Sequence, residues 1–334
     1  MTTLLVTGAA GFIGSSFVRY WVQEHPSDQI IALDALTYVA SMDALSEVEK
    51  SITFVKGDIR NQDLIEHLLR THSVDILVNF AAESHNSLAI LRPGEFFSTN
   101  VMGVQSLAEA CRRTGIGRFH QISTCEVYGD MDLDDPGAFT EDSPYLPRTP
   151  YNAAKAGGDH VVRAYHHTYG LPATITNCSN NYGPYQFPEK VIPLFVTNAL
   201  RGKALPMYSS TRNRREWLHV DDHCRAIDLV LNRGTVGETY LVGSGVEADI
   251  ETIADLVLDE LGLPHTLKTI VPDRPSHDRR YLLDSTKIRR ELGWAPRIEF
   301  ADGLRETIRW FRENEWWWEP LLGRSPVTES AWRG

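Results

Sequence analysis

Near the N-terminus an apolar run, Leu4-Leu-Val-Thr7, meets Gly8-Ala-Ala-Gly11-Phe12-Ile13-Gly14, and an amphipathic pattern follows to about Val22. A strand, a three-glycine turn and a helix in immediate succession leave few folds open. Gly8 permits the tight turn, Gly11 lets a diphosphate approach the backbone, and Gly14 allows close helix–strand packing. The helix N-terminus then offers its free N–H groups to the anion. A second apolar run, Gln29 to Leu33, ends in Asp34, twenty residues after Gly14. A carboxylate there accepts from ribose hydroxyls and repels a 2′-phosphate, which favours NAD over NADP.

Strand and helix patterns then alternate. Ile52 to Val55, Asp75 to Phe80 and Phe119 to Ile122 read as strands. Gln62 to Leu69, Asn100 to Arg112 and Tyr151 to Tyr169 read as helices, the last introduced by Pro147 and Pro150. This rhythm implies an α/β fold with a Rossmann-like doubly wound parallel sheet, ligands lying at the C-terminal strand ends. At 334 residues the chain exceeds one compact core. A dinucleotide-binding domain is expected over 1–176. A smaller α/β C-terminal lobe for substrate is expected over 177–334, with some segments returning to the sheet. Beyond Asn177 the sequence is rich in turn formers and polar side chains, as a binding loop would be.

Composition excludes several classes. A net charge of −11 argues against a nucleic-acid surface, and no apolar run approaches a membrane span. The chain starts directly in a strand, which leaves no room for a signal peptide, so a cytoplasmic protein is expected. Cys111, Cys125, Cys178 and Cys224 lack paired spacing, so neither a disulfide framework nor a metal site is expected. Cys111, Cys178 and Cys224 read as core. Trp316, Trp317 and Trp318 are expected to pack against the body.

The chemistry gathers after the Phe119 strand, at Ser123-Thr124-Cys125-Glu126. Tyr151 follows with Lys155 one helical turn on, a spacing that sets an ammonium beside a phenol and favours its ionised form. A hydroxyl, a carboxylate and an activated phenol suit redox chemistry coupled to proton transfer. Arginines occur in two clusters of this acidic chain, Arg212 to Arg215 and Arg274 to Arg280. They are local cation sources for a diphosphate. Flanking Trp217, Pro275 and His277 favour a formed pocket at Arg215 and Arg274, whereas Arg212 and Arg280 read as surface ion pairs. Asp58 either caps the helix near Gln62 or lies at an adenine edge.

From Leu4 to about Trp310 the chain resembles the extended short-chain dehydrogenases/reductases, and more narrowly the dTDP-glucose 4,6-dehydratase family. Gly8 to Gly14, Ala81-Ala-Glu-Ser-His85 and Tyr151-x-x-x-Lys155 mark the superfamily. Asn177-Cys-Ser-Asn-Asn-Tyr-Gly-Pro-Tyr-x-Phe-Pro-Glu-Lys190 and Arg274-Pro-x-His-Asp-Arg-Arg-Tyr281 are similar to the nucleotide-sugar clamp of the narrower branch. The resemblance implies NAD contacts at Gly8, Gly11, Phe12, Ile13, Gly14, Asp34, Asp58, Ile59, Ala81, Asn100, Tyr151 and Lys155. It implies a nucleoside-diphosphate hexose, dTDP-glucose first, held by Ser84, His85, Asn180, Glu189, Lys190, Arg215, Arg274, His277 and Tyr281. It further implies a homodimer joined through a four-helix bundle built from the Asn100 and Tyr151 helices.

In the implied cycle Tyr151, with Lys155 and Thr124, takes the proton from the sugar C4 hydroxyl as NAD is reduced. Glu126 removes H5, water leaves C6, and hydride returns to C6. In the family an Asp before the Glu is the acid for the leaving hydroxyl. Here that position is Cys125, whose thiol, ordinarily titrating at about 8.5, is a poorer proton donor than an environmentally raised Asp. Other departures lie nearby. The family's His-Val-Asp-Arg-Ser becomes His85-Asn86-Ser87-Leu88-Ala89, and its Tyr-Gly-Lys-Gly turn becomes Tyr208-Ser-Ser-Thr211. An Asn on the nucleotide-diphosphate side becomes Leu241. The alternatives are a 5,6-dehydratase returning hydride to C4 to leave an exo-glycal, an NDP-sugar epimerase, or a non-catalytic NAD-binding protein.

Overall fold

The structure, a computed structural model, describes residues 1–326; the last eight residues of the expected lobe, 327–334, lie outside the described residues. Its first strand, β1 (Thr3–Thr7), is buried at every position, as a continuous apolar run in a two-sided parallel sheet must be. Then follow α1 (Phe12–Glu24), β2 (Gln29–Asp34), β3 (Ile52–Lys56), α2 (Gln62–Thr71) and β4 (Ile76–Asn79). Next come α3 (Asn86–Leu91), α4 (Pro93–Phe97), a π-turn over Ser98–Gly103, α5 (Val104–Thr114), β5 (Arg118–Thr124) and α6 (Pro150–Tyr169). The Asn100 helix thus begins earlier than the periodicity predicts, because Pro93 starts a helical path that the wider turn carries on. Local chemistry bounds α6: the Thr149 hydroxyl accepts from Asn152 N, Pro150 is the first helical residue, and Gly170 closes it at φ 70°.

The second half supplies β6 (Ala173–Cys178), β7 (Asn180–Tyr182), α7 (Val191–Leu200), β8 (Leu205–Tyr208), β9 (Arg214–His219), α8 (Val220–Arg233) and β10 (Thr239–Val242). After them come β11 (Glu247–Asp249), α9 (Ile250–Leu261), β12 (Lys268–Val271), α10 (Thr286–Leu292), α11 (Phe300–Glu313) and α12 (Glu315–Trp318). Seven strands form one sheet in the order β10-β6-β5-β4-β1-β2-β3. Every pairing in it is parallel. Strand β6 crosses position 176, and β10, from far along the second half, completes the edge.

The period of two along β1 divides the core. Leu4 and Val6 face Phe17, Val18, Cys224 and Ile227 of α1 and α8. Leu5 faces the opposite layer, with Ile65, Leu107, Cys111 and Val162 of α2, α5 and α6. A smaller lobe holds the sheets β11-β9-β7 and β12-β8. Its own core is built from Phe195, Val196, Ile253, Val257, Leu304 and Ile308. Trp317 and Trp318 are buried in that core, while Trp316 is 55% exposed.

Candidate active site

A cavity of about 530 Å³ runs between the C-terminal ends of the parallel strands and the lobe. Its size suits an organic ligand of cofactor or metabolite class. At one end lies the glycine loop, with Gly8, Gly11, Phe12, Ile13 and Gly14 all on the wall. Gly8 sits at φ +66°, and a Cβ there would meet Ala81 N at 2.6 Å; a Cβ on Gly14 would meet Gly8 O at 2.1 Å. Only glycine allows this turn and this packing. Asp34 ends β2 with its carboxylate accepting from Ala10 N (2.9 Å) and Leu36 N (2.7 Å). Burial raises its pKa and those two bonds oppose the rise. A glycine cradle, open helix-terminal N–H groups and a carboxylate at the next strand tip fit a dinucleotide.

Asp58, Ile59 and Ala81 continue this wall. Asp58 does not cap α2: the Asn61 side chain does, accepting from Leu64 N, while Asp58 pairs with Arg60. Asn100 stands behind the wall. Its amide bonds both the N–H and the C=O of Glu83, each at 2.9 Å, and so fixes the loop that follows β4.

The reacting end is carried by β5 and α6. Thr124 is the last residue of β5 and caps a 3-10 turn over Cys125–Tyr128, its hydroxyl accepting from Glu126 N. Thr124, Glu126, Tyr151 and Lys155 all reach the cavity. Burial pushes the Glu126 carboxyl above its ordinary range, with Asp278 adding to the rise. Arg274, a hydrogen bond from Asn86 and Arg215 oppose it. The Tyr151 phenol is raised well above 10.0, chiefly by burial and then by Glu126. Lys155, expected to favour the phenolate, lies one turn further along α6. Lys155 Nζ donates to Ile122 O at 2.7 Å, and burial lowers its pKa.

Cys125 also stands apart from the cavity wall. It is 1% exposed and belongs to an apolar cluster with Val127, Tyr128, Ala156, Leu241, Tyr281 and Leu283. Burial raises its thiol well above 9.0, and the Glu126 charge adds to this. Leu241, expected at the diphosphate side, sits on β10 in this same cluster. The two departures from the family pattern are thus neighbours in one apolar environment. Leu88 and Ala89 lie in another apolar cluster, with Phe96, Tyr151 and Ala154.

Two supporting residues escape the sequence reading. Asp159 is fully buried one turn beyond Lys155; its Oδ2 accepts from Ser123 Oγ (2.6 Å) and Tyr145 OH (3.0 Å). Its spacing of four from Lys155 is the one signal of it in the sequence. Asn86 Nδ2 donates to Glu126 Oε2 at 3.2 Å; nothing local in the sequence announces that contact.

The far end of the cavity gathers Ser84, His85, Asn180, Glu189, Lys190, Arg215, Arg274, His277 and Tyr281. Tyr38 OH donates to Glu189 Oε1 at 3.0 Å, His85 Nε2 lies 3.5 Å from Glu189 Oε2, and Lys190 Nζ donates to Ser84 O. Burial pushes His85 down to about 3, so the pair is neutral imidazole beside a carboxyl. Arg215 donates to the carbonyls of Asp278 and Arg279, with its guanidinium carbon 4.9 Å from the Tyr281 ring centroid. His277 packs against Tyr208, and burial pushes it to about 3. Asn180 Oδ1 and Arg274 Nε are buried with no hydrogen-bond partner among the described residues. An orphaned acceptor and an orphaned cationic donor suit a polar anionic ligand. Arg212 pairs with Asp249 and is exposed, as expected. Arg280 is ion-paired too, but with Glu247 in a buried setting, so it is no surface pair.

The sequence profile of a family described as GDP-mannose 4,6 dehydratase matches residues 5–307. A dTDP-glucose 4,6-dehydratase of Streptomyces niveus is 48% identical over 333 residues, covering 98% of either chain. One from Mycobacterium tuberculosis is 48% identical over 319 residues, 95% of this chain and 96% of the other. Among solved structures, a dTDP-glucose 4,6-dehydratase from Streptomyces venezuelae with NAD bound matches with a TM-score of 0.92 at 50% identity, covering 96% and 100% of the two chains. A UDP-glucose 4-epimerase from Thermus thermophilus in complex with NAD gives 0.86 at 27%, covering 94% and 100%.

Proposed function

The chain belongs to the family of nucleotide-sugar 4,6-dehydratases, and from that premise we propose that it is an NAD-dependent lyase that converts a nucleoside-diphosphate hexose, dTDP-glucose first, into its 4-keto-6-deoxy product. The observation that carries this reading is one shared cavity. It brings together a dinucleotide cradle, the Thr124, Glu126, Tyr151 and Lys155 side chains, the buried Arg215 and the half-buried Arg274.

NAD, held by Gly8, Gly11, Gly14 and Asp34, supplies a two-electron acceptor that later serves as donor. Arg215 and Arg274 bind the diphosphate, and Asn180, Glu189, Lys190 and His277 orient the nucleotide sugar. Tyr151 takes the proton from the C4 hydroxyl; Thr124 donates to the same oxygen, and Lys155 favours the phenolate once formed. With C4 a ketone, H5 is acidic, and Glu126 removes it. Burial raises the Glu126 carboxyl and so favours its retaining that proton until it can donate it. Because the Cys125 thiol is embedded in an apolar cluster of aliphatic and aromatic side chains away from the cavity wall, Glu126 itself passes the proton to the departing C6 hydroxyl.

Leu91, Phe97 and Met102 expose apolar surface on the segment leading into α5. They support a homodimer paired through α5 and α6, with Ala153 and Gly157 allowing close approach. No described helix is long and apolar enough to cross a membrane, and a cytoplasmic enzyme fits this.

Incubation with dTDP-, UDP- and GDP-hexoses, followed by mass spectrometry and NMR in deuterated water, tests the reading. Loss of one water with a new C6 methyl group supports it. An exocyclic alkene would give the 5,6-dehydratase instead, and an inverted stereocentre without mass loss the epimerase.

A further inference from the structure

Glu126 carries both proton transfers of the elimination in the reading above, so whatever holds its carboxylate governs that step. We propose, resting on that reading, that Asn86 is the positioning residue of Glu126, holding its carboxylate through a directed hydrogen bond.

The contact is built from both sides. Asn152 N donates to Thr149 Oγ1, so the Thr149 hydroxyl proton is free to point onward, and it donates to Asn86 Oδ1 at 3.3 Å. With its carbonyl oxygen occupied, the Asn86 amide presents Nδ2, which donates to Glu126 Oε2 at 3.2 Å. The order of donors is therefore set from the N-cap of α6 to the base. An ionised carboxylate accepts only, so the reversed amide would oppose two acceptors. One Glu126 oxygen is held in this way, and the carboxylate lines the cavity. Cys125, next to Glu126 in the chain, sits in an apolar cluster with Leu241.

The charged and titratable groups facing Glu126 are Asp278, Arg274, Arg215, Tyr151, Tyr281, Cys125 and Cys178. Asp278 raises the carboxyl, the two arginines lower it, and Asn86 lowers it by direct hydrogen bonding. Removing Asn86 therefore shifts the base upward in pKa and frees its rotamer, while leaving the diphosphate clamp intact.

Asn86→Val and the near-isosteric Asn86→Asp test this beside the unsubstituted protein. The expected result is a fall in kcat of about ten- to hundredfold with KM within about twofold. The acid limb of the pH–rate profile moves to higher pH, further for Asn86→Asp, while reduction of bound NAD by substrate persists. A second readout needs no turnover: 13C-carboxyl NMR titration, with Glu126→Gln as the assignment control, gives a higher Glu126 pKa in both variants. An unchanged kcat and acid limb, a rise in KM alone, or an unmoved Glu126 titration overturns the assignment. If the unsubstituted protein dehydrates no nucleotide sugar, the dehydratase reading falls, and the titration alone then decides the role of Asn86.

Discussion

Lys155 Nζ donates to the main-chain carbonyl of Ile122 across 2.7 Å, inside the strand that ends in Thr124. The Lys155 ammonium is thus tied to the sheet, and the phenol of Tyr151 stands one turn before it on α6. Tyr151→Phe keeps this tie and removes only the proton acceptor. The expected outcome is a loss of turnover of about 10²- to 10⁴-fold with unchanged NAD affinity, measured by product NMR and calorimetry. Lys155→Met also leaves the Ile122 carbonyl without this partner, so its thermal midpoint falls while that of Tyr151→Phe holds.

Asp34 accepts from two backbone donors at the tip of β2, where the proposed ribose contact would fall. Calorimetry is expected to find NAD bound at least about tenfold more tightly than NADP, because a carboxylate repels a 2′-phosphate. Asp34→Ser narrows that ratio, mostly by weakening NAD.

Cys125 and Leu241 share one apolar cluster, so altering either polarity alone is costly. Cys125→Asp buries a carboxyl without a partner and is expected to lower stability by about 1–3 kcal/mol in urea titration. Adding Leu241→Asn supplies a hydrogen-bond partner and recovers part of that loss. Cys125→Ala keeps turnover within a few-fold of the parent. A collapse of kcat in Cys125→Ala would return the thiol to the mechanism.

Glu216 on β9 has its side chain fully buried, accepting from Gly245 N (2.6 Å) and Leu283 N (3.1 Å). Burial raises its pKa from 4.5 to about 7. The folded state therefore keeps a proton that the unfolded chain has already released. Its stabilisation is full below about pH 4.5 and is lost as pH rises to about 7, on the order of 3 kcal/mol. Urea melts at pH 5 and pH 8 are expected to differ more for the parent than for Glu216→Gln, which has no proton to lose.

How much of the fold and site is legible follows the range of the interactions. Gly8, Gly14 and Asp34 announce themselves because turn geometry and strand-end chemistry are local, and the order of β1 to β5 follows from alternating periodicities. Tyr151 and Lys155 share a helix, so their spacing alone joins them. The contacts that spacing cannot reveal span long separations: Asn86 reaches Glu126, and Leu241 joins the cluster of Cys125 from β10, which the sheet sets one strand away from β5. The upward push on the Tyr151 phenol is out of reach of spacing for a related reason. Proximity along α6 is readable, whereas the burial that dominates its pKa is a property of the closed fold.

The edge of the main sheet closes only with β10, at Thr239–Val242, although β1 opens the chain. During synthesis the growing chain must therefore carry an uncapped β6 margin until about residue 242 has left the ribosome, with unpaired backbone groups facing solvent. A fragment ending near 176 would cut through β6 itself and leave β5 as the edge. Such a fragment is a candidate for aggregation rather than a free-standing nucleotide binder, and the two halves are one biosynthetic unit.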